Sequence, residues 1–121
     1  MTGACSLWIA ALSLFAVGLG SRVALMRRNG VSEGRDEAIR AHANLVENAP
    51  LFCVLLLGAD LLGGAPGVVH SFGAVFVAAR LWHAWGLSSS LGRTHGRFYG
   101  IAVTWSAMAA LAVWVGWLGM R

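Results

Sequence analysis

Between positions 40 and 50 an apolar stretch of the chain carries Arg40, His42, Asn44, Glu47 and Asn48 ahead of Pro50. On a helix turning about 100° per residue, Arg40, Asn44 and Glu47 fall within about 60° of one another, because i, i+4 and i+7 share a face. His42 points roughly the opposite way. One stripe thus holds a cation, an amide and a carboxylate. A later stretch repeats the pattern more weakly, with Arg80, His83 and Leu87 on one face, and Arg22 lies near the end of the first apolar run. Groups of this kind can pair with one another or hold a charged small molecule.

The elements that must carry these residues are membrane helices. The chain has 121 residues, 58% of them hydrophobic and only 12% charged, too little charge to cover a soluble surface. Six Trp and sixteen Gly suit a bundle in which Trp anchors the interfaces and Gly lets helices approach. A span needs about 20 mainly apolar residues. Four segments qualify: Leu7 to Met26, Ala38 to Leu62, Val68 to Leu87, and Phe98 to Met120, the last without a charged residue. Short polar connections run from Arg27 to Glu37 and from Ser88 to Arg97, with a tight uncharged turn at Gly63 to Gly67. The start lacks the basic region of a secretory signal, so the first run is expected to be retained as a helix. Residues 1–121 read as one domain.

Charge distribution orients the bundle. Arg27, Arg28 and Arg35 lie in the first connection, Arg93 and Arg97 in the third, and no basic residue in the second. By the positive-inside rule the first and third face the cytoplasm and both termini lie on the other side. The formal charge of +4 does not point to nucleic acid, because the basic residues form no separate face. Cys5 and Cys53 are expected to be free thiols at different depths. No paired-histidine metal spacing, nucleophile elbow or phosphate loop is present.

At membrane depth a charge costs about 2.5–3.5 kcal/mol at a helix centre, less near an end where a long side chain snorkels. Glu47 is short and about two turns deeper than Arg40, so it needs a partner. The plainer reading is an interhelical network of Arg40, Asn44, Glu47 and Arg80 that holds the bundle together. The other is a polar cavity for a small zwitterionic or anionic ligand. The excess of Arg22, Arg40 and Arg80 over Glu47 favours the cavity.

The run Arg40-Ala41-His42-Ala43-Asn44-Leu45-Val46-Glu47-Asn48-Ala49-Pro50 resembles the signature of the MAPEG superfamily, the membrane-associated proteins in eicosanoid and glutathione metabolism. That pattern is Arg, any residue, His or Gln, any residue, Asn, two spacers, Glu, then Pro after two or three more. Arg80-Leu81-Trp82-His83-Ala84-Trp85-Gly86 looks like the family's third-helix segment, and the stretch from Ser21-Arg22-Val23 to Arg27-Arg28 looks like the end of the first helix in bacterial members.

The resemblance implies an all-α, integral membrane four-helix bundle that assembles as a homotrimer in a bacterial inner membrane. Glutathione, the thiol co-substrate, would lie between subunits near the cytoplasmic side. Arg40, Asn44 and Glu47 match its binding residues, with Arg80 and His83 from the third helix. His42 matches a position that contacts it from the neighbouring subunit, and Arg27 or Arg28 an arginine that meets a glutathione carboxylate. Two carboxylates suit arginine forks and one ammonium suits Glu47. Arg97, or else Arg93, is the nearest match to the arginine that stabilises the thiolate. Leukotriene-forming and prostaglandin-forming members carry a ligand-contacting Tyr where this chain has Leu87. The implied activity is a transferase or peroxidase acting on lipophilic electrophiles that enter from the bilayer. The alternative is a non-catalytic relative that binds a lipid or a partner protein.

Overall fold

The computed structural model describes residues 2–89 and 95–121. Four α-helices follow one another: α1 Ala4–Arg28, α2 Arg35–Leu61, α3 Pro66–Ser89 and α4 His95–Gly119. Among the described residues every regular element is helical. The helices hold 24 to 27 residues, about 36–40 Å at 1.5 Å per residue, enough for a hydrocarbon core of about 30 Å. α1, α2 and α4 are both long and apolar enough to cross a membrane. In α3 the apolar run is broken by His70, Arg80 and His83.

The helices reach further into the connections than hydropathy alone implies. α2 begins at Arg35 instead of Ala38 because Asp36 and Glu37 occupy its first turn, where carboxylates offset the exposed N–H groups and the helix dipole. α4 begins at His95, which places Arg97 on the first turn of a helix and not in a polar connection. α2 also runs through Pro50 to Leu61, although the proline ring cannot donate to the carbonyl of Val46.

α3 packs most extensively on α4, and α1 on α2, while α2 and α3 cross the middle. Among the described residues α1 and α4 do not meet. The centre is a parallel stack of Phe52 and Phe76, ring centroids 3.7 Å apart, surrounded by the buried Leu12, Leu45, Leu56, Val69 and Leu111. Within a bilayer such packing stabilises through van der Waals contact, since lipid is as apolar as leucine. Cys5 and Cys53 are free, as expected.

The end bearing the α2–α3 turn is pinned by polar contacts. Asp60 is fully buried and accepts hydrogen bonds from Thr2 N at 2.8 Å, Thr2 Oγ1 at 2.7 Å and Cys5 N at 3.5 Å. It thereby serves the start of α1, whose own N-cap residue, Gly3, has no side chain to do so. Trp8 Nε1 donates to His70 Nδ1 at 3.0 Å, which ties α1 to α3 near the same end.

At the opposite end α3 and α4 approach so closely that only glycine fits. A Cβ on Gly100 would stand 2.7 Å from the Cβ of His83, and one on Gly96 would stand 3.0 Å from the main-chain oxygen of Trp82. The glycine pair at i, i+4 therefore acts as a helix-packing motif. Ala102 and Ser106 face outward and line a shallow apolar groove with Ser71, Phe72 and Val75.

Candidate functional site

The residues that converge belong to α2, α3 and α4. Arg80 enters the interior because position 80 lies on the buried face of α3, one turn beyond Phe76. Its side chain is 1% exposed. Nη2 donates to Oδ1 of Asn44 on α2, and Nη1 donates to Oγ1 of Thr104 on α4 at 3.2 Å. Thr104 is fully buried and its hydroxyl donates in turn to the carbonyl of Gly100 at 2.7 Å. Among the described residues the guanidinium thus donates to two neutral oxygens, and its Nε has no partner.

One turn along α3, His83 is 3% exposed. Its Nδ1 lies 2.9 Å from the main-chain oxygen of Arg97 on α4. Its Nε2 is buried without a partner among the described residues. The close approach at Gly100 brings α4 near enough for the Arg97 carbonyl to meet the ring. On the other side of Asn44, Asn48 Nδ2 donates to the Asn44 carbonyl at 2.8 Å and Trp105 Nε1 donates to Asn48 Oδ1 at 3.2 Å. The link from Asn44 through Arg80 to Thr104 thus crosses from α2 to α4 in the interior, while the Asn48–Trp105 contact joins the same two helices at the exposed surface.

Of the site residues expected from sequence, Asn44, Arg80, His83 and the backbone of Arg97 come together here. Arg40 and Glu47 lie on the outward face of α2, with Asn44 at its inner edge. Electrostatically Glu47 still acts on Arg80. Arg27 and Arg28 occupy the last turn of α1 and are exposed. His42 packs against α1, where a Cβ on Gly20 would stand 3.1 Å from its Nε2. Arg97 is half-buried. Arg93 lies outside the described residues. Leu87 is buried against Ala41 and Ala84, with Phe15 and Leu19 beside them, so the position that bears a ligand-contacting Tyr in some relatives is core in this chain.

Thr104 and Trp105 were not evident as site residues, and Asn48, though part of the polar run, lies off the stripe that Arg40, Asn44 and Glu47 share. Thr104 sits in the span with the fewest polar signals, and a lone threonine at membrane depth usually satisfies itself by bonding back to its own helix. Thr104 does so, and accepts from Arg80 as well. Only the register of α4 against α3 reveals the second contact.

A buried cation held by neutral acceptors keeps its charge available to an anionic or polarisable group. Glu47 and Arg40 lie on the adjoining outward face, two turns apart, so cationic and anionic side chains are both offered on that face. Comparison with known proteins identifies the family. The family model described as MAPEG family matches residues 3–117. The inner membrane protein YecN of Escherichia coli strain K12 is 37% identical over 76 residues, which is 63% of this chain and 56% of the relative. YecN of Escherichia coli O6:H1 aligns with the same identity and coverage. The match therefore spans little more than half the length of these relatives.

Proposed function

This chain belongs to the MAPEG family, and on that premise we propose that it is a membrane-bound, glutathione-dependent transferase or peroxidase for lipophilic electrophiles. The observation that carries the reading is the buried Arg80 guanidinium, hydrogen-bonded to the neutral Asn44 and Thr104 and with Nε free among the described residues. Its charge is available to a ligand that brings an anion. Glutathione has two carboxylates and an acidifiable thiol for Arg40, Arg80 and an Arg27 or Arg28 side chain, and an ammonium for Glu47. An arginine beside the sulfur, with Arg97 the candidate on the described helices, favours thiolate over thiol.

The outward position of Arg40 and Glu47 supports a homotrimer with glutathione between subunits. Charged groups at membrane depth are not left facing lipid, and a second copy of the chain is the partner that the family offers. The relative's name, inner membrane protein, supports the bacterial inner membrane as the location, with substrate entering from the bilayer.

A second reading, a non-catalytic binder of a lipid or partner protein, draws on one observation. Leu87 is buried among Ala41 and Ala84 and supplies no hydroxyl to a ligand.

The deciding experiment is thermal unfolding of the detergent-solubilised protein with a panel of low-molecular-weight thiols. A ligand that binds only the native state raises stability by about 2.7 kcal/mol at a hundred times its Kd. Glutathione is expected to raise the midpoint in wild type and to lose that effect in Glu47→Gln and Arg40→Ala, each still a trimer. Dissociation or unfolding of Glu47→Gln in the absence of ligand would instead make these charges a structural network.

A further inference from the structure

Trp8 and His70 are each the fifth residue of their helices, α1 and α3, which start at the same end of the bundle. Trp8 Nε1 lies 3.0 Å from His70 Nδ1, with the two rings set edge to face at 67°. An indole nitrogen has a hydrogen and no lone pair to offer, so it can only donate. The direction of the bond therefore fixes the state of the imidazole: Nδ1 is bare, the hydrogen sits on Nε2, and the ring is neutral. The indole is also seated. A Cβ on Gly73, three residues along α3, would run into the Trp8 ring, so the indole lies on bare α3 backbone with His70 at its edge. Trp8 is half-buried and packs on the core, whereas His70 is exposed.

One proton would undo this contact. Imidazole is the side chain whose charge changes near neutrality, between about pH 5 and 8. An imidazolium carries a hydrogen on both nitrogens, so Nδ1 would turn from an acceptor into a second donor facing the Trp8 N–H. The released indole is not orphaned. About one turn from the start of α1 it lies at the depth where Trp is stable beside water and headgroups. Both states are satisfied, and only one ties α1 to α3. The tie matters because, among the described residues, α1 packs on α2 and α3 and does not meet α4. The other titratable and charged groups of the elements at this end are Cys5 on α1, Asp60 and the deeper Cys53 on α2, and Arg121 after α4. Asp60 is held by Thr2 and the Cys5 N–H, and Arg121 lies 4.1 Å over the Trp117 ring. On α3 itself no other charged residue precedes Arg80.

We propose that Trp8 and His70 form an acid-released clasp between α1 and α3: neutral His70 holds the indole on its Gly73 seat, and protonation of His70 frees the first half of α1 from α3. The sign follows from the acceptor. The clasp is closed in alkaline solution, and the stability it adds is lost as the ring gains its proton. Such a device is a local charge change acting on an element with two satisfied positions. The turn beside it, Gly63 to Gly67, carries no basic residue, so this end is expected on the non-cytoplasmic side. Acid on that side, and not in the cytoplasm, opens the clasp.

The test follows the indole N–H resonances of the solubilised full chain, labelled with ¹⁵N-tryptophan, from about pH 8 to about pH 5. The Trp8 resonance is the one of six that vanishes in Trp8→Phe. It is expected at a hydrogen-bonded position in alkaline solution and should move in a single step toward the solvent-bonded position as acid is added. His70→Asn sets a neutral, untitratable amide near the place of Nδ1, and should leave the resonance unmoved across the range. Over the same range the thermal midpoint of wild type should fall by a few degrees more than that of His70→Asn or Trp8→Phe. A Trp8 resonance that stays fixed in wild type, or moves equally in His70→Asn, would overturn the clasp. An equal fall of the midpoint in all three proteins would overturn it as well. Should His70→Asn not fold, the wild-type resonance and the comparison with Trp8→Phe decide.

Discussion

Arg80 on α3 and Thr104 on α4 are joined by a 3.2 Å hydrogen bond in a part of the bundle where both are buried. The bond fixes which way the guanidinium points, because Thr104 takes Nη1 while Asn44 takes Nη2. Replacing the hydroxyl by a methyl of the same shape, Thr104→Val, leaves a buried donor unmade at a cost of about 1–3 kcal/mol. The expected result is a thermal midpoint lowered by several degrees in detergent. Thr104→Ser should recover most of the loss because it restores the oxygen. Equal stability of the valine variant would mean that the bond holds nothing.

A neighbouring contact makes a sharper comparison. A Cβ on Gly100 would lie 2.7 Å from that of His83, whereas one on Gly116 of the same helix meets nothing within 4 Å. Gly100→Ala must push α4 off α3 and is expected to destabilise by about 1–3 kcal/mol, lowering the unfolding midpoint. Gly116→Ala gains helix propensity and should be neutral or stabilising by up to about 1 kcal/mol. Matching midpoints for the two variants would place the close approach elsewhere.

The architecture was largely legible in the chain: the four expected segments lie within or closely overlap the four helices, and three of these, α1, α2 and α4, are long and apolar enough to cross a membrane. Their ends were not legible to hydropathy. Asp36 and Glu37 are polar and read as connection, yet they favour the first turn of α2. The site was half legible. Arg40, Asn44 and Glu47 share a helix face by spacing alone, but spacing cannot say whether that face turns inward. It turns outward, with Asn44 alone reaching the interior bond to Arg80. The hydrogen bond of His83 goes to a carbonyl on another helix, and main-chain carbonyls carry no sequence signal.

Sidedness is testable on two short connections. Ser32 precedes α2, and Ala65 lies between α2 and α3. In a background with Cys5 and Cys53 replaced by alanine, a cysteine at position 32 should be shielded in intact cells from an impermeant thiol reagent. A cysteine at position 65 should react. Labelling at 32 alone would invert the bundle, and labelling at both would remove one crossing between them.

The role of the Arg97 side chain separates cleanly from that of its backbone. Its carbonyl receives the His83 hydrogen bond, and Arg97→Ala leaves that carbonyl in place, so the variant removes only the guanidinium. Arg97 is on the first turn of α4, half-buried, and its stem is long enough to bring a positive charge toward a thiol held near Arg80 and His83. A cation there lowers the thiol pKa from its free value of roughly 8.5, and each unit of lowering corresponds to about 1.4 kcal/mol. The sign is fixed: removing the cation disfavours thiolate, so the titration moves to higher pH. Thiolate absorbance near the ultraviolet edge, followed against pH with glutathione bound, is expected to shift upward in Arg97→Ala while binding persists. The conjugation rate at neutral pH should fall in step with the lost thiolate. If the side chain only reaches lipid headgroups and steadies the helix end, the titration stays where it was. A shift absent in Arg97→Ala and present in Arg93→Ala would transfer the charge to Arg93.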